Sequence, residues 1–381
     1  MVSFWHPIIG CIGIISTVMV VSTNASPVSH EKRDGTAYNY WTTKAFGANL
    51  GNWLILEKWM GSSIFDKYAP QATDEWTFSQ QASNPAQALQ EHWNSWVTED
   101  DFKKLASVKA NHIRIPVGYW AFIKPDAGEP YVFSGQKAQI ERILSYCNTY
   151  GMYAVIDLHG LPGSQNGEDH SGHSGSIGFY SDYNIQRGLK TVQAVVDWMN
   201  GLNPTLKSRI ASIQSANEPR VSGNQLSILK NYYQKAFNII NASPFKVPMI
   251  FHDAFQGLGA WNDFLPVPAN AVIDLHPYYA FPPNKDTNSI IGGICGSRAA
   301  AKKFHLPVFY GEWSLASGVA SQEWWLRQMM DTQISVYKSG AGGTFWALKN
   351  AINSKEWSFE QLVDEDIINS GTFSLHTNAQ C

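Results

Sequence analysis

Two glutamates end short apolar runs in this chain. Ala211-Ser212-Ile213-Gln214-Ser215-Ala216 leads into Asn217-Glu218-Pro219, and Pro307-Val308-Phe309-Tyr310 leads into Gly311-Glu312-Trp313. A carboxylate at the end of a buried strand is costly unless its charge is used. Two of them on different strands are the minimum set for cleaving a glycosidic bond, one as acid/base and one as nucleophile. In a retaining pair the carboxyls stand about 5–5.5 Å apart. The acid of such a pair would begin protonated, which predicts a raised pKa, while the nucleophile would stay ionised. Asn217, beside Glu218, suits a hydrogen bond to a sugar 2-OH. The histidines and glutamates show no His-x3-His spacing or thiolate set, and this chemistry requires no metal or other cofactor.

Such residues need a scaffold that brings distant strand ends together. Strand-like runs recur at Phe46–Leu50, Asn111–Pro116, Tyr153–His159, Ala211–Asn217, Val247–Asp253, Ala271–His276, Pro307–Glu312 and Gly342–Trp346. Helical patterns between them include Glu99–Val108, Gln136–Tyr150, Asn184–Met199, Leu226–Ile240 and Gln322–Lys338. Eight strands alternating with helices predict an α/β fold, a (β/α)8 TIM barrel in one domain with decorated loops. Polar residues gather at one end of the successive strands: Arg114, His159, Asn217-Glu218, His276, Glu312 and Trp346. In such barrels the C-terminal strand ends carry the active site.

The 381 residues contain no linker, charge run or repeat that divides them. Net charge is -3 with 15% charged residues, which leaves no electrostatic footprint for nucleic acid. Ile8 to Val21 is apolar and short, and Ser22, Thr23 and Ala25 follow it, as in a secretory signal over 1–25. Lys32-Arg33 is a dibasic pair that predicts a possible propeptide over 26–33 and a hydrolase domain over 34–381. The polar C-terminal tail carries no GPI signal. An oxidising compartment then bears on the cysteines. With Cys11 in the signal, Cys295 in a Gly-rich loop and Cys381 at the terminus form the expected disulfide, and Cys147 is a buried free thiol.

Longer motifs carry a resemblance. Asn49-Leu50-Gly51-Asn52-Trp53-Leu54-Ile55-Leu56-Glu57, Ile113-Arg114-Ile115-Pro116-Val117-Gly118-Tyr119-Trp120 and Ile156-Asp157-Leu158-His159-Gly160-Leu161-Pro162-Gly163-Ser164-Gln165-Asn166-Gly167 resemble the fungal exo-β-1,3-glucanases of glycoside hydrolase family 5. Phe251-His252-Asp253-Ala254-Phe255-Gln256, Gly311-Glu312-Trp313-Ser314 and Glu356-Trp357-Ser358-Phe359 continue the match to the C-terminal region. The resemblance implies Glu218 as acid/base, Glu312 as nucleophile and Arg114 as the cation that orients Glu312. It implies substrate contacts from His159 and His276, and a hydrogen bond from Tyr278 to the nucleophile. Glu57 and Asp169 would grip the terminal glucose, Trp346 would lie under the sugar, and Phe281 would clamp the next one. The implied protein is a secreted or cell-wall monomer acting on β-glucan, with no nucleic-acid or membrane partner.

The chain also departs from the pattern. The second clamping phenylalanine is Glu168 here, Gly-Gly-Trp is Gly51-Asn52-Trp53, and the second tryptophan of Phe-Trp-x-Trp is Leu348. Two other readings stand beside the exo-β-1,3 expectation: an endo-β-1,6-glucanase of the same family, and a catalytically silent glucan-binding wall protein.

Overall fold

Eight parallel strands close on themselves in sequence order. They are β1 (Ala45–Asn49), β2 (His112–Gly118), β3 (Tyr153–Gly160), β4 (Ile210–Gln214), β5 (Met249–His252), β6 (Ala271–Asp274), β7 (Val308–Trp313) and β8 (Gly342–Phe345). The computed structural model describes residues 38–283 and 286–381. The expected signal and propeptide therefore lie outside the described residues. No described helix is long and apolar enough to cross a membrane.

Period-2 alternation sorts each strand into two faces. On β2, Ile113, Ile115 and Val117 pack outward into the large core under the helices, leaving His112 and Arg114 to the barrel interior. The interior itself is graded. Val155, Ile250, Val272 and Phe309 form an apolar layer near the N-terminal ends of the strands, plugged by Tyr38 and Tyr40. Two residues further along each strand stand Asp157, His252, Asp274 and Gly311. In-register pairing of Ile250 with Val272 and His252 with Asp274 keeps these layers level. The charged side chains are thus gathered in the C-terminal half of the barrel, above a floor whose polar groups, His112 and Ser212, both bond the Tyr40 hydroxyl.

Helices Gln136–Tyr150, Asp182–Gly201, Gln225–Ala242 and Glu323–Tyr337 cover the barrel close to where periodicity places them. Three helices between β1 and β2 (Ser63–Tyr68, Glu75–Gln81 and Pro85–Trp96) have no counterpart in that reading. Cys295 also departs from expectation, because it lies in a helix, Thr287–Lys303, and not in a Gly-rich loop. Gly292, Gly293 and Gly296 each weaken a helix by about 1 kcal/mol. Burial of Ile290, Ile294 and Ala301 along one face, with Asp286 capping the Ser289 amide, outweighs that penalty. Cys295 is bonded to Cys381, and Cys147 is a free, buried thiol.

Candidate active site

At the C-terminal mouth of the barrel lies a cavity of about 480 Å³, within the range of small-molecule sites. Its walls include Glu57, His159, Glu218, His276, Tyr278, Phe281, Glu312 and Trp346 from the sequence-derived set. Asp169 is not among the lining residues, although its neighbours Glu168 and His170 are. Arg114 and Asn217 lie just beneath, fully buried.

Arg114 organises the floor. Its guanidinium donates to Glu312 Oε1 at 2.8 Å, Asn49 Oδ1 at 2.9 Å, Gln214 Oε1 at 2.9 Å and Asn217 Oδ1 at 2.7 Å. It also pairs with Asp157 Oδ2 at 3.0 Å. A planar fork with five donors is the side chain suited to so many acceptors in fixed directions. Glu312 Oε2 accepts the Tyr278 hydroxyl at 2.9 Å, so each of its oxygens has a fixed donor. Asp157 in turn holds His159 Nδ1 at 2.6 Å, and His159 Nε2 lies 3.2 Å from the Asn217 amide. Burial drives the His159 pKa well below its usual range, so that ring is neutral. Trp346 lies nearly parallel to it, with ring centroids 5.6 Å apart.

Glu218 sits at φ +43°, in the left-handed region, immediately before Pro219. Proline disfavours helical backbone in the residue before it, and left-handed non-glycine backbone is strained; such strain concentrates at functional sites. Glu218 Oε1 accepts from His276 Nδ1 at 2.6 Å, and His276 Nε2 reaches Asp274 Oδ2 at 2.9 Å. Asp274 also accepts from Gln214 Nε2 at 2.8 Å and from the Gly311 amide at 2.7 Å.

These contacts correct one expectation, the raised pKa of the acid. Burial pushes the Glu218 carboxyl up, but the His276 hydrogen bond and charge, with His170 and His252 nearby, pull it well below the usual carboxylate range. The free site therefore keeps its proton on His276. Burial opposes the charge on that ring, yet Glu312, Asp274 and Glu218 together raise its pKa well above normal. Both His276 nitrogens are engaged by carboxylates, so the ring holds Glu218 in place from the cavity wall.

Glu57 is a buried residue of the cavity wall, with Oε2 accepting from Trp59 Nε1 at 3.0 Å. Burial, then the charges of Asp169 and Glu312, raise its pKa well above the usual range. Asn52 explains one departure from the pattern. It holds a left-handed backbone (φ +52°), which asparagine tolerates, and its Oδ1 accepts the Glu57 amide at 2.8 Å.

A metal could in principle use Glu218, His252 and His276, whose ligand atoms lie within 4.8 Å of one another. The donor chemistry opposes it. His252 Nδ1 accepts the Ala254 amide, which leaves its proton on Nε2, and His276 has both nitrogens committed.

Sequence reasoning gave no role to several wall residues: Trp59, His170, Arg220, Phe255 and Trp357. Phe255 and Trp357 lay within quoted motifs, so a signal existed. Glu168, the second departure, pairs with Arg220 at 2.7 Å at the rim.

This arrangement has relatives. Residues 74–351 match the Cellulase (glycosyl hydrolase family 5) family. The chain belongs to glycosyl hydrolase family 5. Its relatives include glucan 1,3-beta-glucosidase 1 of Schizosaccharomyces pombe, 35% identical over 74% of this chain and 71% of that one. A probable glucan 1,3-beta-glucosidase A of Aspergillus clavatus is 33% identical over 78% of this chain and 71% of its own. Among solved structures, the rutinosidase from Aspergillus niger superposes with a TM-score of 0.80 at 23% identity, covering 87% of this chain and 99% of that one. This family 5 hydrolase shares that fold, and at such identity the likeness speaks for the fold alone.

Proposed function

We propose that this glycoside hydrolase is a secreted, retaining β-glucosidase that removes glucose from the non-reducing end of β-1,3-glucan. Glu218 serves as acid/base and Glu312 as nucleophile. One observation carries the reading: His276 Nδ1 lies 2.6 Å from Glu218 Oε1 and 3.5 Å from Glu312 Oε2. Those two oxygens are therefore within roughly 6 Å of each other, which suits a retaining pair better than the ~6.5–9.5 Å of an inverting one.

In this mechanism Glu312, oriented by Arg114 and Tyr278, attacks the anomeric carbon while Glu218 Oε2 protonates the departing oxygen. Water is then deprotonated by Glu218 and displaces Glu312. His276 occupies Oε1, which leaves Oε2 to face the substrate. Sugar binding removes water from around the carboxylate, moving its proton affinity upward toward that of a working acid. Buried Glu57 closes one wall and favours a chain end over a passing polymer. The names of the glucan 1,3-beta-glucosidase relatives support the linkage.

The test is product analysis on laminarin and pustulan, with Glu312→Ala as control. Glucose alone from laminarin, absent with the variant, is the expected result. Oligosaccharides from pustulan with little action on laminarin would assign endo-β-1,6 activity. No product from either would leave a glucan-binding protein without catalysis.

A further inference from the structure

Because His276 takes Glu218 Oε1, chemistry at the acid/base happens on Oε2, and that oxygen has a neighbour of its own. His170 Nε2 lies 3.7 Å from it. The ring is one-fifth exposed, lines the cavity, and meets the His159 ring edge-on at 5.4 Å. A gap of 3.7 Å is too long for a direct hydrogen bond. It does suit a third atom, because an oxygen roughly 2.8 Å from both groups fits between them.

The loop holding His170 is built to keep it there. His170 sits in the 3-10 turn Asp169–Ser171, closed by the Ser171 amide on Glu168 O and the Gly172 amide on Asp169 O. Ser171 Oγ bonds Ser164 Oγ at 2.7 Å. Gly172 O accepts the Trp76 amide, and a Cβ on Gly172 would lie 2.3 Å from the Trp120 ring, so the turn is pressed against fixed structure. The rim pair then acquires a purpose. Glu168, two residues before His170, binds Arg220, two residues after Glu218, while the Arg220 amide donates to Gln165 O. The loops after β3 and β4 are stapled together on either side of the His170–Glu218 gap.

We propose that His170 is a further catalytic residue, a second hydrogen-bond donor to the departing glycosidic oxygen. The Glu168–Arg220 pair positions it. In glycosylation Glu312 forms its bond to the anomeric carbon, the carbon–oxygen bond to the leaving group breaks, and the oxygen keeps that electron pair. The oxygen takes the proton of Glu218 Oε2, while His170 Nε2–H donates a hydrogen bond to it and keeps its own proton. In the second step the same donor holds the incoming water or acceptor hydroxyl, whose proton goes to Glu218. This rests on the proposed role of Glu218.

The experiment compares kcat/KM for 2,4-dinitrophenyl and phenyl β-glucosides in the full-length protein and its variants. A dinitrophenolate leaves with little help, whereas phenolate needs a donor. In His170→Asn and His170→Ala the ratio favouring the dinitrophenyl substrate should rise about 10- to 100-fold, the scale of losing one oriented donor. Glu168→Gln should raise it less. Equal losses on both substrates, or an unchanged ratio, overturn the inference; circular dichroism and melting curves exclude misfolded protein from the comparison. Glu218→Ala runs alongside, with azide as an external nucleophile. A raised ratio and a β-glucosyl azide product there, with no shift in His170→Asn, defeat the His170 inference alone. Equal losses in Glu218→Ala without azide product defeat both.

Discussion

Asp274→Asn probes how the acid is loaded. Asp274 faces His276 Nε2 at 2.9 Å in a fully buried setting. Two unit charges at that separation interact by about 6 kcal/mol at an effective dielectric of 20. The asparagine amide, and the carboxylates of Glu218 and Glu312 that remain around the ring, offset part of this. The realistic change is about 1–3 pH units, or roughly 1.4–4 kcal/mol. The sign is fixed by chemistry: without the anion, His276 gives up its proton more easily. Glu218 and His276 titrate as a pair, and acid catalysis needs at least one proton on the pair. The alkaline limb of kcat/KM on 4-nitrophenyl β-glucoside should therefore move to lower pH by that amount. Asparagine can still accept the Gly311 amide, which keeps the local fold. A limb that shifts by less than about half a unit, or moves upward, in a protein with unchanged melting behaviour would refute the relay.

Arg114→Met strands Asp157 and Glu312 without their buried cation, and urea unfolding should show a loss of about 3–5 kcal/mol, partly recovered when Glu312→Gln is added. Gly311→Ala drives a Cβ to 2.4 Å from Asp274 Oδ1. Activity should fall by at least tenfold while the barrel's far-UV dichroism persists. Glu75 is buried, bonded to the Leu56 amide and Trp120 Nε1, and burial raises its pKa to about 8. Its folded pKa exceeds the unfolded value of 4.5, so its stabilisation is complete below pH 4.5 and is lost as pH rises toward 8. Urea midpoints measured across that window should fall in the wild type and flatten in Glu75→Gln.

The barrel was legible because its signals are local. Apolar runs of strand length recur between amphipathic segments, and each strand lies within a few residues of its expected place. Of the helices between β1 and β2, Ser63–Tyr68 and Glu75–Gln81 escaped because so few residues show no period, whereas Pro85–Trp96 had a cap at Asn84 and a proline at its first position that were passed over. The helix around Cys295 escaped because its glycines argue against it until Ile290 and Ile294 find their burial partners. Glu218 and Glu312 were visible as misfit charges at strand ends. The electrostatics of Glu218 were not, since they depend on His276, 58 residues away, and on Asp274 behind it. His170 was passed over for a related reason. Only the parallel pairing of β3 with β4 brings its turn opposite the loop after β4.

The bond between Cys295 and Cys381 closes a ring of chain that contains β7, β8 and the helix between them. That ring carries Glu312 and Trp346, while Glu218 lies outside it. A protease that clips an exposed loop inside the ring, such as the one around Val319, would leave both fragments joined through sulfur. The clipped protein would migrate as one species under non-reducing conditions and as two after reduction. After reduction Glu218 and Glu312 stay together on the N-terminal fragment, while Trp346 leaves with the C-terminal one.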